Sequence, residues 1–215
     1  PVGYAPPLRQ LMVDAAAEAG LGAVSVLAEP VAAARVALSG SDARPGELVM
    51  VYDLGGGTFD VALGRVPDDG GDLVPVADAG DKRIGGRNFD SLIYHDVLAH
   101  GDAGPLREVL EGDDSRQRHE ADADLQDFVL EAKHVLSDEE VFDRQIPGAR
   151  RGAYYELTRV AFEDLAGPSI DKTIRTCETL LDESGFDWSD LDRVALVGGA
   201  TRMPIVRARL EAKVD

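Results

Sequence analysis

Three consecutive glycines, Gly55-Gly56-Gly57, interrupt two apolar runs, Leu48 to Tyr52 and Phe59 to Val66, within Asp53-Leu54-Gly55-Gly56-Gly57-Thr58-Phe59-Asp60. Glycine loses more conformational freedom on folding than any other residue, so such a run needs a compensating use. Backbone without Cβ atoms can bring several N–H groups against a phosphate and bind it as an anion nest, without a lysine. The flanking groups suit the same chemistry. Asp53 can hold Mg²⁺ through water or orient a nucleophilic water, the Thr58 hydroxyl can meet a terminal phosphate, and Asp60 can add a cation contact. The competing interpretation is a tight hairpin whose glycines merely permit positive φ. With the turn at Asp68 to Gly71, the segment predicts strand, glycine turn, strand, turn, strand.

A second glycine turn lies at Val197-Gly198-Gly199-Ala200-Thr201-Arg202-Met203-Pro204, between an apolar run and a helix start. Such a turn can pass under a nucleotide's sugar and base, with Arg202 beside the adenine plane and a helix N-terminus facing a phosphate. A glycine pair after a strand also serves plain packing, so its weight comes from the first motif. Strand and helix patterns alternate along the chain, which predicts an α/β fold.

Charge limits the partners. The 215 residues carry 22 Lys+Arg against 40 Asp+Glu, a formal net charge of −18, while 44% of the chain is hydrophobic. The overall charge does not attract nucleic acid or anionic membrane, so any polyanion must be held locally by backbone groups. One cysteine, Cys177, leaves no intramolecular disulfide framework and agrees with a reducing compartment. Neither a membrane span nor a signal peptide is visible, so the expected location is cytoplasmic. The start at Pro1 and the stop at Asp215 read as a piece excised from a longer protein.

Periodicity predicts an amphipathic helix over 8–20 ending at Gly20, and a second one opening at Glu29-Pro30 and continuing through Val31 to Leu38. A further helix starts at Asn88 as its cap and ends before Gly101 to Gly104. Residues 111–124 read as an exposed loop, followed by a helix over about 122–137 with Leu125, Phe128, Val129, Ala132, Val135 and Leu136 on its buried stripe. On the opposite face Leu130, Lys133, His134 and Ser137 follow the i, i+3, i+4, i+7 rule. That face is either simply solvated or a binding surface. Arg144 to Arg151 predicts strand and turn, Leu157 to Leu165 a short helix, Ile170 to Leu181 a longer one, and Val194 to Val197 a strand.

Taken together, these motifs resemble the nucleotide-binding domain of the 70-kDa heat-shock chaperones of the DnaK type, within the actin, hexokinase and chaperone superfamily. The markers in order are Gly3-Tyr4, Ala28 to Ala34, Asp53 to Asp60, Gly85-Gly86 with Asn88-Phe89-Asp90, Glu131-Ala132-Lys133, Leu157-Thr158-Arg159, and Val197 to Pro204. The resemblance implies an actin-like (ribonuclease H-like) ATPase lobe with an inserted α+β cap. Residues 1–46 would be the helical remainder of a first lobe, 47–83 with 166–215 the base of the second, and 84–165 its cap. It implies ATP/ADP and Mg²⁺ as cofactors, with a monovalent cation beside them. Glu29 and Asp53 would organise the magnesium and its water, while Gly55, Gly56, Gly57 and Thr58 surround the β- and γ-phosphates. Gly86 would lie near the phosphate-side entrance. Lys133, His134 and Ser137 would face ribose and adenine, and Gly198, Gly199 and Arg202 would close the nucleoside pocket from the other side.

Five positions depart from the family pattern: Leu130 replaces a glutamate, His134 an arginine, Ala200 a serine, Arg87 an acidic residue and Val31 a threonine. Leu130 cannot accept a hydrogen bond from ribose, which predicts weaker or less base-specific nucleotide binding than in typical members. The first phosphate loop and the lysine essential for hydrolysis would precede Pro1, so this piece is expected to hydrolyse ATP poorly or not at all. The parent would hydrolyse ATP slowly and couple nucleotide state to peptide clients, with co-chaperones and a nucleotide-exchange factor as partners. Two other functions stay open: a nucleotide-sensing module without hydrolysis, and a sugar kinase or filament-forming relative.

Overall fold

The centre of the fold is β1 (Leu48–Leu54), which is buried along almost its whole length because its apolar side chains face packed layers on both sides. In the computed structural model, which describes residues 6–24, 26, 32–33, 42–69 and 71–214, β1 pairs antiparallel with β2 (Phe59–Arg65). On its other edge it pairs in parallel with β6 (Arg193–Val197). A third strand, β3 (Val74–Asp81), pairs antiparallel with β2, so the four-stranded order is β3-β2-β1-β6. The expected strand, glycine turn, strand, turn, strand is therefore present.

Between β3 and the long helix that returns to the sheet, the chain builds a second group of elements. These are α2 (Gly86–Ala99), α3 (Gly104–Glu111), α4 (Ser115–Asp138) and the antiparallel hairpin of β4 (Val141–Gln145) with β5 (Tyr154–Thr158). Then come α5 (Arg159–Glu183), β6 and α6 (Pro204–Val214). Near the start of the chain, α1 (Pro6–Glu18) matches the first expected helix, and Gly20 after it adopts φ 78°. The helix expected from Glu29-Pro30 lies, but for Ala32 and Ala33, outside the described residues, as does Glu29 itself.

One apolar core runs from the sheet, through α5 and α6, into α2, α4 and the β4-β5 hairpin. Its polar seam is a buried 2.5 Å hydrogen bond between the Tyr52 hydroxyl on β1 and Thr173 on α5. Burial pushes the Tyr52 pKa well above the usual phenol value, so the hydroxyl stays protonated. The opposite sheet face carries a small cluster of Val49, Val51 and Ala195.

Four expectations about these elements are corrected. Residues 115–124 are helical, because Asp114 caps α4 by accepting hydrogen bonds from the backbone N–H groups of Arg116 (3.0 Å) and Gln117 (3.2 Å). The segments 157–165 and 170–181 do not form two helices. Tyr154–Thr158 is a strand, and α5 runs unbroken through Pro168, burying Phe162, Ala166, Ile170, Ile174 and Cys177 on one stripe. Gly167 makes this tolerable, since a residue without Cβ is spared much of the clash that drives a pre-proline residue out of the helical region. Asn88 does not cap α2, which begins two residues earlier. Its first amides need no side-chain cap, because Gly86 N–H donates to the Gly55 carbonyl (2.9 Å) and Arg87 N–H to that of Gly56 (2.8 Å). The break at Gly101 to Gly104 is a single 3₁₀ turn leading directly into α3.

Candidate functional site

The glycine loop leaves the sheet at the ends of β1 and β2, where Gly55 N–H donates to the Thr58 carbonyl at 3.0 Å and closes the turn. The loop does close a hairpin between β1 and β2, but none of Gly55, Gly56 and Gly57 has positive φ, so permitting positive φ is not what the three glycines do. What they provide is close approach and open backbone. A Cβ at Gly85 would lie 2.6–2.8 Å from the backbone of Gly57, so the two glycine segments are stacked main chain on main chain. On the free side, a Cβ at Gly56 or Gly57 would meet nothing within 4 Å. Both residues are exposed, and neither N–H makes a hydrogen bond to a described residue. Exposed glycine backbone whose N–H groups donate to no described residue is the raw material of an anion nest.

At the neighbouring strand end, Gly198 requires its lack of a side chain. Its φ is 89°, and a Cβ there would fall 2.3 Å from the Leu54 carbonyl oxygen and 2.7 Å from Asp53 Oδ1. The second glycine turn is thus pressed against the end of β1, beside the Asp53 carboxylate. From there a 3₁₀ turn, Gly199–Arg202, is tied by the Thr201 hydroxyl donating to the Gly198 carbonyl at 2.6 Å, and it carries Arg202 outward. Asp53 and Asp60 are directly opposed in the β1-β2 register, which sends both carboxylates to one side of the sheet. The Thr58 hydroxyl donates to Asp60 Oδ2 at 3.0 Å.

Facing these turns is the last part of α4. Gly55, Gly56, Gly86, Lys133, His134, Ser137, Gly199 and Arg202 line one cleft of about 440 Å³. All eight are among the site residues expected from the sequence, and one cavity joins them. Asp53, Gly57, Thr58, Asp60 and Gly198 stand beside the cleft without lining it, and Glu29 lies outside the described residues. Asp138 and Met203 line the cleft and were missed. Asp138 stands four residues after His134, so the helical spacing that selected Ser137 also reaches it.

The face of α4 is not simply solvated. Lys133 is only 9% exposed, and its ammonium lies 2.6 Å from Asp90 Oδ1 and 3.4 Å from the Gly86 carbonyl oxygen. Leu130 turns elsewhere. With Arg87, Asp90 and Tyr94 it lines a neighbouring cavity of about 710 Å³, on the other side of Lys133 from His134 and Ser137. There Tyr94 donates to Asp122 at 2.8 Å, and burial together with that carboxylate pushes its pKa up to about 12. Among the described residues, no group of three or more His, Cys, Asp and Glu side chains converges on one metal position. No described helix is long and apolar enough to cross a membrane.

An alternating α/β chain with two glycine turns beside parallel strand ends has a matching family. The family described as Hsp70 protein matches residues 2–214, and the chain belongs to it. Among its relatives, the chaperone protein HscA of Yersinia enterocolitica is 37% identical over 202 residues, covering 94% of this chain and 30% of that protein. The HscA of Klebsiella pneumoniae is 35% identical over 202 residues, and the HscA homolog of Aeromonas salmonicida 37% over 204, with the same coverage. The chain spans about 30% of the length of these relatives.

Proposed function

We propose that this chain forms one wall of an ATP/ADP site in a chaperone-type ATPase, an actin-like lobe whose base is 47–83 with 166–215 and whose cap is 84–165. Residues 1–46 belong to the first lobe in this reading. The observation that carries it is the convergence of eight residues from four separate segments on one cleft, beside a loop whose exposed Gly56 and Gly57 amides donate to no described residue. The amides of Gly56 and Gly57 receive phosphate oxygens, with Thr58 on the terminal phosphate. Lys133, His134 and Ser137 meet the ribose and the base edge, and Arg202 covers the adenine plane from the opposite wall.

Mg²⁺ fits the donor set as a phosphate-bound ion rather than one held by a protein cage. Asp53 and Asp60 are directly opposed across a strand pair, which puts two carboxylates on the same side of the sheet near the glycine loop. Mg²⁺ characteristically takes one or two carboxylates and completes its shell with phosphate oxygens and water. Asp53 is placed to hold or orient one of those waters, and Glu29 shares that role in the family pattern. A monovalent cation would find its ligands among the same oxygens. In the whole protein, slow hydrolysis would switch binding of a peptide or protein client, aided by co-chaperones and a nucleotide-exchange factor.

The test is the amide spectrum of the chain on addition of ADP with Mg²⁺. Gly56 and Gly57 should show the largest shifts, with changes at Lys133 and Arg202. Shifts confined to other surfaces would reject the site.

A further inference from the structure

We infer that Asp90 is a positioning residue for the nucleoside, acting through Lys133; the inference rests on the nucleotide reading above and adds a member to that site. Asp90 is absent from the 440 Å³ cleft and lines only the cavity behind it, whereas Lys133 lines both. Lys133 therefore stands, with Gly56 and Gly86, between the two cavities, with the Asp90 carboxylate on the far side from His134, Ser137 and Arg202.

An ammonium that is only 9% exposed needs compensation for lost water, and this one has it on one side. Lysine offers three donors and no acceptor. The ammonium pairs with Asp90 Oδ1 at 2.6 Å as an ion pair and donates to the Gly86 carbonyl at 3.4 Å, which leaves donor capacity for the cleft that Lys133 walls. The carboxylate is committed in return. Asp90 Oδ1 is buried and accepts no hydrogen bond within the geometric limits, so the close ammonium is what offsets its own burial. Gly86 completes the socket. A Cβ at that position would stand 3.3 Å from Lys133 Nζ, so the glycine makes room for the charged head. Asp90 and Gly86 are four residues apart on the first turns of α2, which brings both onto the same helix face. The phosphate loop also bonds to this helix end, through Gly86 and Arg87 N–H, so phosphate loop and ribose lysine share one anchor.

Calorimetric titration of ADP with Mg²⁺ tests this in five proteins: the chain, Asp90→Asn, Asp90→Glu, Lys133→Ala, and Asp90→Asn with Lys133→Ala. Removing the charge should weaken binding about ten-fold, the size expected when one charge-assisted hydrogen bond is lost. Glutamate should restore part of it, and Asp90→Asn should cost nothing more once Lys133 is gone. Melting temperatures report whether the variants fold. Unchanged or tighter binding in Asp90→Asn overturns the inference and leaves the nucleotide reading standing, as does an equal loss with and without Lys133. Failure of the unaltered chain to bind overturns the nucleotide reading, and this inference with it.

Discussion

Gly198 and Gly199 are adjacent, yet the backbone asks opposite things of them. Gly198 sits at φ 89° with a carbonyl oxygen 2.3 Å from where its Cβ would be, while Gly199 has nothing within 4 Å. Gly198→Ala should therefore cost about 3 kcal/mol or more, combining left-handed strain with a forced shift at the end of β1. Gly199→Ala should stay within about 1 kcal/mol of the parent chain. Urea unfolding of both variants checks the contrast, and equal effects would mean that the two turns are not pressed together as described. The sequence signals differ in the same way. Two neighbouring glycines look alike as letters, and only the partner strand distinguishes the one that touches it. Lys133 makes the same point: helical spacing put it on the binding face, but its burial against Asp90 depends on a helix more than 40 residues away in sequence.

Between elements, the link with a clear pH signature joins β3 to α5. Lys172 donates to Asp81 Oδ2 at 2.5 Å, and Arg83 N–H donates to Oδ1 at 2.8 Å. The lysine first, then the backbone amide, pull the Asp81 pKa down to about 2. The folded value lies below the unfolded value of about 4, so the contribution is present above about pH 4 and is lost as pH falls toward 2. Lys172 is about half exposed, so screening keeps the pair near 0.5–1 kcal/mol. Thermal melts should put Lys172→Ala below the parent chain at pH 7 and close the gap between about pH 4 and 2; a gap independent of pH would contradict the assignment. Much at this scale was legible in sequence. The β1-loop-β2-β3 order follows from short apolar runs bounded by turn residues, and the two faces of α4 from a period-3.6 pattern that burial enforces. What was not legible came from local rules overruled by partners. Gly167-Pro168 reads as a helix break, but an unbroken apolar stripe keeps α5 whole. Asn88 reads as a cap, but the carbonyls of Gly55 and Gly56 fill that need from thirty residues upstream. The short strand β5 carries two buried residues, Tyr155 and Leu157, too little alternation to separate it from a helix start.

Across the whole molecule, the net charge of −18 and the proposed binding of a polyanionic nucleotide are reconciled by position rather than by sign. In the proposed site, phosphate would be met by backbone amides at the ends of strands, and Lys133 and Arg202 line the cleft from different segments. The sheet supplies the loop and the Gly198 turn, and α4 supplies the proposed nucleoside face, so the cleft lies where the two groups of elements meet. The most direct test is calorimetry of ADP with Mg²⁺ into the chain and into its Lys133→Ala and Arg202→Ala variants. Saturable one-to-one binding that is weakened by each substitution is the predicted result; no binding, or binding indifferent to both, would contradict a nucleotide site in this cleft.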